Sequence, residues 1–317
     1  MSSSSKHHRP SCSLSGLFAS AVVVCVCACW LGGCGPALIS GGSPTIAAER
    51  HSIDAGPPAG RRVSFLRAVA QIAPDGPDPD QPISQPAGPR LIFVHGTPGD
   101  ATQWVNYLRT PVAGLGTIAV DRLGFGSSVT VVDSAGKPVR SAITDYATQA
   151  QTLLRVVNAA PDRPILIGHS LGGPIIAMMA ALEPERIGGL VILAATLDPK
   201  LEEPAWYNYM AEWLVFSWLL SDDLRIANHE VLAAGHENSR LAYDLSRIRC
   251  PVVVVQGGKD QLVPAGHADY IKRTLTGAAA VEIILLPDAG HFLPWQHEAT
   301  VRQAIERVLQ LGHAGSP

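Results

Sequence analysis

The sequence has no surplus of positive charge. It carries 24 lysine and arginine residues against 27 aspartate and glutamate residues, which gives a formal net charge of −3 over 317 residues. A domain that binds the backbone of a nucleic acid usually presents a basic excess on one face. The sequence therefore gives no reason to expect a nucleic acid partner.

Complete metal and phosphate motifs are also missing. His229-Glu230 and His297-Glu298 begin like a zinc-binding helix, but neither has a second histidine four residues after the first. The segment Gly257-Gly258-Lys259-Asp260 lacks the spacing and the Ser/Thr residue of a phosphate-binding loop. The sequence implies neither a metal nor a cofactor.

Charge is absent altogether from residues 16–33. A basic region at residues 6–9 precedes this apolar stretch, and small residues follow it, which is typical of a secretory signal. The ending Leu31-Gly32-Gly33-Cys34 resembles the bacterial lipobox. The resemblance implies that residues 1–33 are a lipoprotein signal peptide and that Cys34 is acylated, for example with palmitate.

A lipid on Cys34 would anchor the protein to a membrane of the bacterial cell envelope, because two or more acyl chains bind a bilayer stably. Gly35 is not an inner-membrane retention aspartate, which is compatible with delivery to the outer membrane. The alternative is an uncleaved transmembrane anchor, although the apolar stretch barely reaches the about 20 residues that a span needs.

Cysteine usage agrees with a lipoprotein. Of the six cysteines, four would be removed with residues 1–33 and Cys34 would be acylated. Cys250 alone remains, so no internal disulfide bond is expected.

The rest of the chain divides into a tether and one domain. Residues 34–60 are rich in glycine, proline, alanine and serine, which predicts a flexible tether. Residues 61–317 alternate between strand and helix patterns, which predicts one α/β domain with a mostly parallel, doubly wound sheet. The predicted strands after an opening β-rich stretch are residues 91–94, 117–121, 164–168, 189–195, 251–256 and 281–286.

A Gly-x-Ser-x-Gly pattern lies between a predicted strand and a predicted helix. Gly168-His169-Ser170-Leu171-Gly172 follows the apolar residues 164–167 and precedes a helix-forming run. This context predicts a sharp turn from which the Ser170 hydroxyl projects. The positive end of the helix that follows would face developing negative charge.

A serine nucleophile needs a base, and the base needs an orienting acid. Asp260 comes just after a valine-rich strand, and His291 follows the last predicted strand. Because sites in open α/β sheets form at the carboxyl ends of the strands, Ser170, Asp260 and His291 are expected to meet. Asp288 is close to His291 in the sequence and is the rival candidate for the acid.

These motifs resemble those of serine hydrolases of the α/β-hydrolase superfamily, esterases and lipases among them, in which the triad follows the order Ser, Asp, His. Residues 91–99 resemble the oxyanion strand and loop, and Asp121–Ser128 resembles the D-x-x-G-x-G-x-S segment of that family. The resemblance implies an α/β-hydrolase fold and an oxyanion hole formed by the backbone N–H groups of Thr97 and Leu171. The serine in the turn separates this chain from the dehalogenase and epoxide hydrolase branches, which carry an aspartate there.

An insertion at residues 197–248 interrupts the alternation and is expected to form a short helical lid. Its aromatic residues follow a spacing of three to four, which predicts one face of a helix. This stripe either attaches the lid to the domain or lines the substrate pocket, and the candidates for lining are Trp206, Trp213 and Phe216.

The resulting prediction is a lipid-anchored serine hydrolase that cleaves a small carboxylic ester with an apolar part through an acyl-enzyme. Two alternatives stay open. One is hydrolysis of a carbon–carbon bond by the same triad, and the other is a non-catalytic envelope lipoprotein on a hydrolase fold.

Overall fold

The computed structural model describes residues 48–57, 59–68, 90–158, 163–213 and 220–314. The predicted signal peptide at residues 1–33, the acylation site Cys34 and the lid residue Phe216 lie outside these ranges. Within them, no helix combines the length and the apolar character that crossing a bilayer requires.

A central sheet of eight strands organises the described residues. The strands are β1 Ala48–Asp54, β2 Arg62–Ala68, β3 Leu91–Val94, β4 Thr117–Val120, β7 Ile165–His169, β8 Gly189–Leu193, β9 Val252–Gly257 and β10 Val281–Leu286. A separate two-stranded sheet pairs β5 Val131–Val132 with β6 Pro138–Val139.

The spatial order of the large sheet is β1-β2-β4-β3-β7-β8-β9-β10. All pairs from β4 to β10 are parallel, whereas β1 and β2 join antiparallel at one side. The predicted mostly parallel α/β sheet is therefore confirmed. Parallel strands bring their carboxyl ends to one edge, and this edge carries the loops after β3, β7, β9 and β10.

Helices cover both faces of the sheet. The helices are α1 Val105–Arg109, α2 Tyr146–Asn158, α3 Gly172–Leu182, α4 Trp206–Ala211, α5 Asp222–Leu241, α6 Gly266–Thr274, α7 Leu293–Gln296 and α8 Glu298–Ala314. Short 3₁₀ turns lie at Ala101–Trp104, Val112–Gly114 and Leu245–Arg247.

Alternate side chains of the central strands enter two hydrophobic cores. Ile92 and Val94 of β3 pack in the core under α2, α3 and α6. Leu91 and Phe93 pack on the opposite face, in the core under α1 and α8. Every residue of β3, β4, β7, β8 and β9 is buried, which explains why these strands are continuous apolar runs in the sequence.

Part of the segment predicted as a tether, residues 34–60, forms β1 in the structure. β1 pairs with β2 along its whole length, from Ala48 opposite Ala68 to Asp54 opposite Arg62. The side chains of β1 are mostly exposed, so the strand lacks the apolar alternation that would have identified it. Ala55, just after β1, is buried in the core, which shows that the ordered domain begins before residue 61.

The segment between β8 and β9 contains the helices of the predicted lid. α5 is its main element, and Ser221 caps it by accepting a hydrogen bond from the Leu224 N–H at 3.3 Å. Asp222 and Asp223 lie in its first turn, where negative charge is favourable. The second element, α4, ends after only six residues.

Candidate active site

Ser170 lies in the turn between β7 and α3, in a conformation that side chains rarely adopt. Its φ is +53°, in the left-handed region that costs non-glycine residues energy. The turn is held from both sides, because the Ser170 N–H donates to the Leu193 carbonyl and its own carbonyl accepts from the Gly173 N–H, both at 2.9 Å. Ser170 is thereby fixed at the carboxyl edge of the sheet, with 9% of its surface exposed.

The turn packs directly against the loop after β3. A Cβ atom on Gly172 would lie 2.5 Å from the Val94 carbonyl oxygen, and one on Gly96 would lie 2.9 Å from the Ser170 Cβ. Neither position has room for a side chain. The two glycines therefore allow the backbones of the serine turn and the predicted oxyanion loop to come into contact.

His291 and Asp260 are hydrogen-bonded to each other. The His291 Nδ1 atom lies 2.8 Å from Asp260 Oδ2, and both residues are buried. The other oxygen of Asp260 accepts from the N–H groups of Leu262 and Val263 at 2.9 and 2.8 Å. A carboxylate fixed in this way accepts a hydrogen bond from the Nδ1–H group of His291. The unprotonated Nε2 is then the basic nitrogen of the ring.

Asp288, the rival acid, is placed elsewhere. Its side chain is 89% exposed and pairs with Lys259 at 2.7 Å. The structure therefore gives His291 only one carboxylate partner among the described residues, and that partner is Asp260.

His169 connects the serine turn to the histidine loop. Its Nε2–H donates to the His291 carbonyl at 3.0 Å, and the two imidazole rings are 4.8 Å apart. Burial, with the nearby His291 contributing, lowers the pKa of His169 to about 3, so its ring stays neutral. Because His169 is adjacent to Ser170, this contact brings Ser170, His291 and Asp260 into one cluster.

Two backbone N–H groups are available beside Ser170. Those of Thr97 and Leu171 donate to no acceptor within the part of the chain that the structure describes. Leu171 immediately precedes α3, so its N–H belongs to the positive end of that helix. The Thr97 hydroxyl oxygen is buried without a hydrogen bond to any described residue.

Sequence reasoning missed a buried polar cluster behind the loop after β3. Arg122 is completely buried and pairs with Glu230 of α5, with Nη1 to Oε1 at 2.6 Å and Nη2 to Oε2 at 3.0 Å. The Arg122 N–H also donates to His95 Nε2 at 3.0 Å. Burial, followed by the charge of Arg122, holds the pKa of His95 well below its usual range. The pair is separated by more than 100 residues, so no local pattern could indicate it.

A further buried histidine, His267 at the start of α6, contacts the backbone that follows β8. His267 Nδ1 accepts from the N–H groups of Leu197 and Asp198 at 3.0 and 2.9 Å, so its proton is on Nε2. Nε2 is 3.3 Å from Glu202, without the alignment of a hydrogen bond. Burial lowers the pKa of His267 to about 4 and raises that of Glu202 to about 7. Between about pH 4 and about pH 7, this contact is therefore largely one between neutral groups.

Within the described residues, the aromatic stripe does not run along a single helix from Trp206 to Trp213. α4 ends at Ala211, so Trp213 lies beyond it. Glu212 accepts from Asn228 and lies 3.1 Å from His229 Nε2, both on α5, and these polar contacts fix the end of α4. Trp206 and Trp213 are 65% and 64% exposed.

Apolar side chains instead lie exposed beside the histidine and aspartate. Phe292 and Trp295 follow His291 and are 41% and 39% exposed, and Leu262, two residues after Asp260, is 52% exposed. The ring of Trp295 is 5.5 Å from that of His169. We call Leu262, Phe292 and Trp295 the apolar rim. No group of histidine, cysteine or acidic side chains in the described ranges is arranged to hold a metal ion.

Comparison with known proteins agrees with this architecture. The model of the Alpha/beta hydrolase family matches residues 91–304. The chain is similar to the dihydrolipoyllysine-residue acetyltransferase component of the acetoin cleaving system of Pseudomonas putida, with 26% identity over 70% of this chain and 64% of that protein. The chain thus spans less than two thirds of that relative's length.

The chain is also similar to two further proteins. The 2-hydroxy-6-oxononadienedioate/2-hydroxy-6-oxononatrienedioate hydrolase of Escherichia coli (strain K12) is 26% identical over 69% of this chain and 86% of its own. A thermophilic esterase from Thermogutta terrifontis shares the fold, with a TM-score of 0.57 and 20% identity over 84% of this chain and all of its own (100%). The chain belongs to the alpha/beta hydrolase family.

Proposed function

We propose that the protein is a serine hydrolase that cleaves a carboxylic ester with an apolar part. Ser170 is the nucleophile, His291 Nε2 accepts its proton, and Asp260 orients the imidazole. The observation that carries the proposal is the His291–Asp260 hydrogen bond beside a serine held at positive φ. A turn of this kind, with a neighbouring base and acid, matches the requirements of nucleophilic acyl transfer.

The reaction divides into two steps. The Ser170 oxygen attacks the ester carbonyl as its proton moves to His291, and the N–H groups of Thr97 and Leu171 bind the resulting oxyanion. The alcohol leaves with the proton from His291, which forms the acyl-enzyme. Water, deprotonated by the same imidazole, then releases the carboxylic acid and regenerates the serine.

The apolar rim supports an ester with an apolar acyl or alcohol part. Leu262 and Phe292 closely follow the acid and the base in the sequence, the ring of Trp295 lies near that of His169, and all three side chains are partly exposed. Apolar walls with a few polar groups are typical of small-molecule sites.

A second candidate activity is hydrolysis of a carbon–carbon bond, which the relative from Escherichia coli favours by its name. A dienedioate carries two carboxylates and would be bound best by a cation. Arg122 is the one fully buried cation of the described ranges, and Glu230 already neutralises it. Both this observation and the apolar rim favour an ester over a dicarboxylate.

Hydrolysis of p-nitrophenyl esters of increasing acyl length tests the proposal. We expect Ser170→Ala to remove activity by several orders of magnitude, because triad knockouts cost up to about a million-fold in kcat. Ser239→Ala, at an exposed serine of α5, is the matched control and should keep wild-type activity. A fluorophosphonate should label wild-type Ser170 and leave the Ser170→Ala variant unlabelled.

Two results would count against this activity. Wild-type protein that cleaves no ester but hydrolyses a 2-hydroxy-6-oxo-dienoate would establish the carbon–carbon alternative. Wild-type protein that is folded, inert towards both substrates and unlabelled by the fluorophosphonate would support the non-catalytic lipoprotein.

We also propose that residues 1–33 are removed and that Cys34 carries the lipid, with the hydrolase domain beginning at β1. The sequence alone supports this, through the uncharged run and the Leu31-Gly32-Gly33-Cys34 ending. In a bacterial host, Cys34→Ser should accumulate as precursor, whereas Cys250→Ser should be processed normally. Mass spectrometry of the mature N-terminus decides the question, since an intact Met1 terminus or an unacylated Cys34 would contradict the proposal.

A further inference from the structure

A buried ion pair joins α5 of the lid segment to Arg122 in the loop after β4, and Arg122 in turn contacts the loop after β3. The side chains of Arg122 and Glu230 are 0% and 1% exposed, and they meet through two hydrogen bonds of 2.6 and 3.0 Å. Removing two charges from water is expensive, and a well-packed apolar pair is often equally stable. Stability alone therefore does not explain why a full ion pair lies here.

Two further donors of Arg122 reach one short stretch of backbone. Its Nε–H donates to the His95 carbonyl at 3.0 Å, and its Nη2–H donates to the Gly96 carbonyl at 2.9 Å. His95 adds a second hydrogen bond to the Gly96 carbonyl, from Nδ1 at 2.7 Å. The Gly96 carbonyl oxygen thus has two donors, which fixes its direction.

Fixing this carbonyl also fixes the next N–H group. The peptide bond between Gly96 and Thr97 is trans, so its N–H points opposite to its C=O. The carbonyl points towards Arg122, and the Thr97 N–H therefore points away from Arg122. Gly96 lies against Ser170, and the Thr97 N–H has no acceptor among the described residues.

We propose that Glu230, acting through Arg122, is a positioning residue for the oxyanion donor Thr97. The carboxylate holds the guanidinium, and the guanidinium holds the Gly96–Thr97 peptide in the orientation that stabilises the tetrahedral intermediate. The inference rests on the serine hydrolase function proposed above. In this proposal, stabilisation of the oxyanion depends on Glu230, a side chain of the lid segment that does not touch the substrate.

Glu230→Gln tests the inference, because it removes the charge and one acceptor while keeping the shape. Loss of a complete oxyanion donor costs about 10²–10³ in kcat. We expect a misdirected donor to lower kcat by about 10–100-fold and to change KM by less than about threefold. The inhibition constant of an alkyl trifluoromethyl ketone, which forms a tetrahedral adduct with serine, should rise by the same factor as kcat falls.

Glu237→Gln is the matched control on the same helix. Glu237 is also buried, accepts from the Tyr146 N–H at 3.2 Å and pairs with Arg240. Its hydrogen bonds and ion pairs within the described residues do not include the loop after β3. This variant should lose thermal stability while keeping kcat and the ketone affinity. Glu230→Asp keeps the charge and should recover part of the lost kcat, and it replaces Glu230→Gln if that variant does not fold.

The possible outcomes separate the two proposals. If Glu230 variants lose stability as Glu237→Gln does but keep wild-type kcat and ketone affinity, Glu230 is only structural and the inference is overturned. If wild-type protein neither hydrolyses esters nor reacts with a fluorophosphonate at Ser170, the serine hydrolase function fails and this inference fails with it. A parallel loss of kcat and ketone affinity, with fluorophosphonate labelling still reaching one per chain, supports the inference.

Discussion

The centre and the antiparallel edge of the sheet are stabilised by different kinds of interaction. β3, β7, β8 and β9 are buried on both faces and held by apolar packing. β1 is mostly exposed and is attached by its ladder to β2 and by the polar side chain of Arg50. The centre positions the reacting groups at its carboxyl edge, whereas the edge strand supports one of the loops beside them.

Asp121 is the point at which the two regions meet. It lies just after β4, is completely buried, and pairs with Arg50 of β1. Its oxygens also accept from the N–H groups of Ala101 and Ser127 at 2.7 and 2.9 Å. We therefore expect substitutions of the reacting groups at the centre of the sheet to abolish hydrolysis. Substitutions at the antiparallel edge should instead lower the free energy of unfolding.

Among the changes that test this comparison, the largest effect is expected for Asp260→Asn. The asparagine keeps the shape but favours the wrong tautomer of the imidazole, and the equivalent change in a known triad lowers kcat by about 10⁴-fold. Asp288→Asn should leave the rate within about twofold, because Asp288 is exposed and paired with Lys259. Ester hydrolysis rates of the two variants check this, and the reverse order of effects would reassign the acid.

A moderate effect on stability is expected for Arg50→Ala. It removes a charged partner of the buried Asp121, and hydrogen bonds to charged groups contribute about 1.5–3 kcal/mol. Arg225→Ala removes an exposed pair with Asp222 and should change the free energy of unfolding by less than about 0.5 kcal/mol. Urea unfolding measures both, and a kcat loss in Arg50→Ala without a stability loss would break the proposed division between edge and centre.

Truncation of the chain to begin at Arg61 sharpens the same comparison. The shortened protein lacks β1 and Ala55, so it exposes the edge of β2 and opens the core there. We expect a lower unfolding midpoint in urea than for a protein that begins at residue 46. Equal midpoints for the two truncated proteins would show that β1 contributes nothing to the domain and would restore residue 60 as its boundary.

The smallest effect is expected for Glu202, which lies in the lid segment, and it concerns the pH dependence of stability. Burial raises the pKa of Glu202 to about 7 from its ordinary 4.5. Between these values the folded state binds more protons than the unfolded state, so stability falls as pH rises from about 4.5 to about 7. Glu202→Gln should reduce the change in unfolding free energy over this pH range, measured by urea titrations at several pH values. An unchanged pH dependence would show that another group titrates there.

The sequence was informative where the signal is local. Continuous apolar runs predicted the central strands, and short motifs at strand ends predicted the residues that the structure brings together around Ser170. It failed where contacts are long-range and polar. β1 has no apolar alternation, and the Arg122–Glu230 pair joins residues far apart in the chain. The spacing of Trp206 and Trp213 suggested one helix, but Glu212 ends that helix by contacting α5.

The backbone contact at Gly96 and Gly172 has a consequence for engineering. Neither position admits even a methyl group, so the serine turn and the neighbouring loop cannot be reshaped without losing the arrangement. Leu262, Phe292 and Trp295 face solvent and carry no such restriction. Libraries that aim to change the acyl preference should therefore randomise these three positions and leave the two glycines fixed.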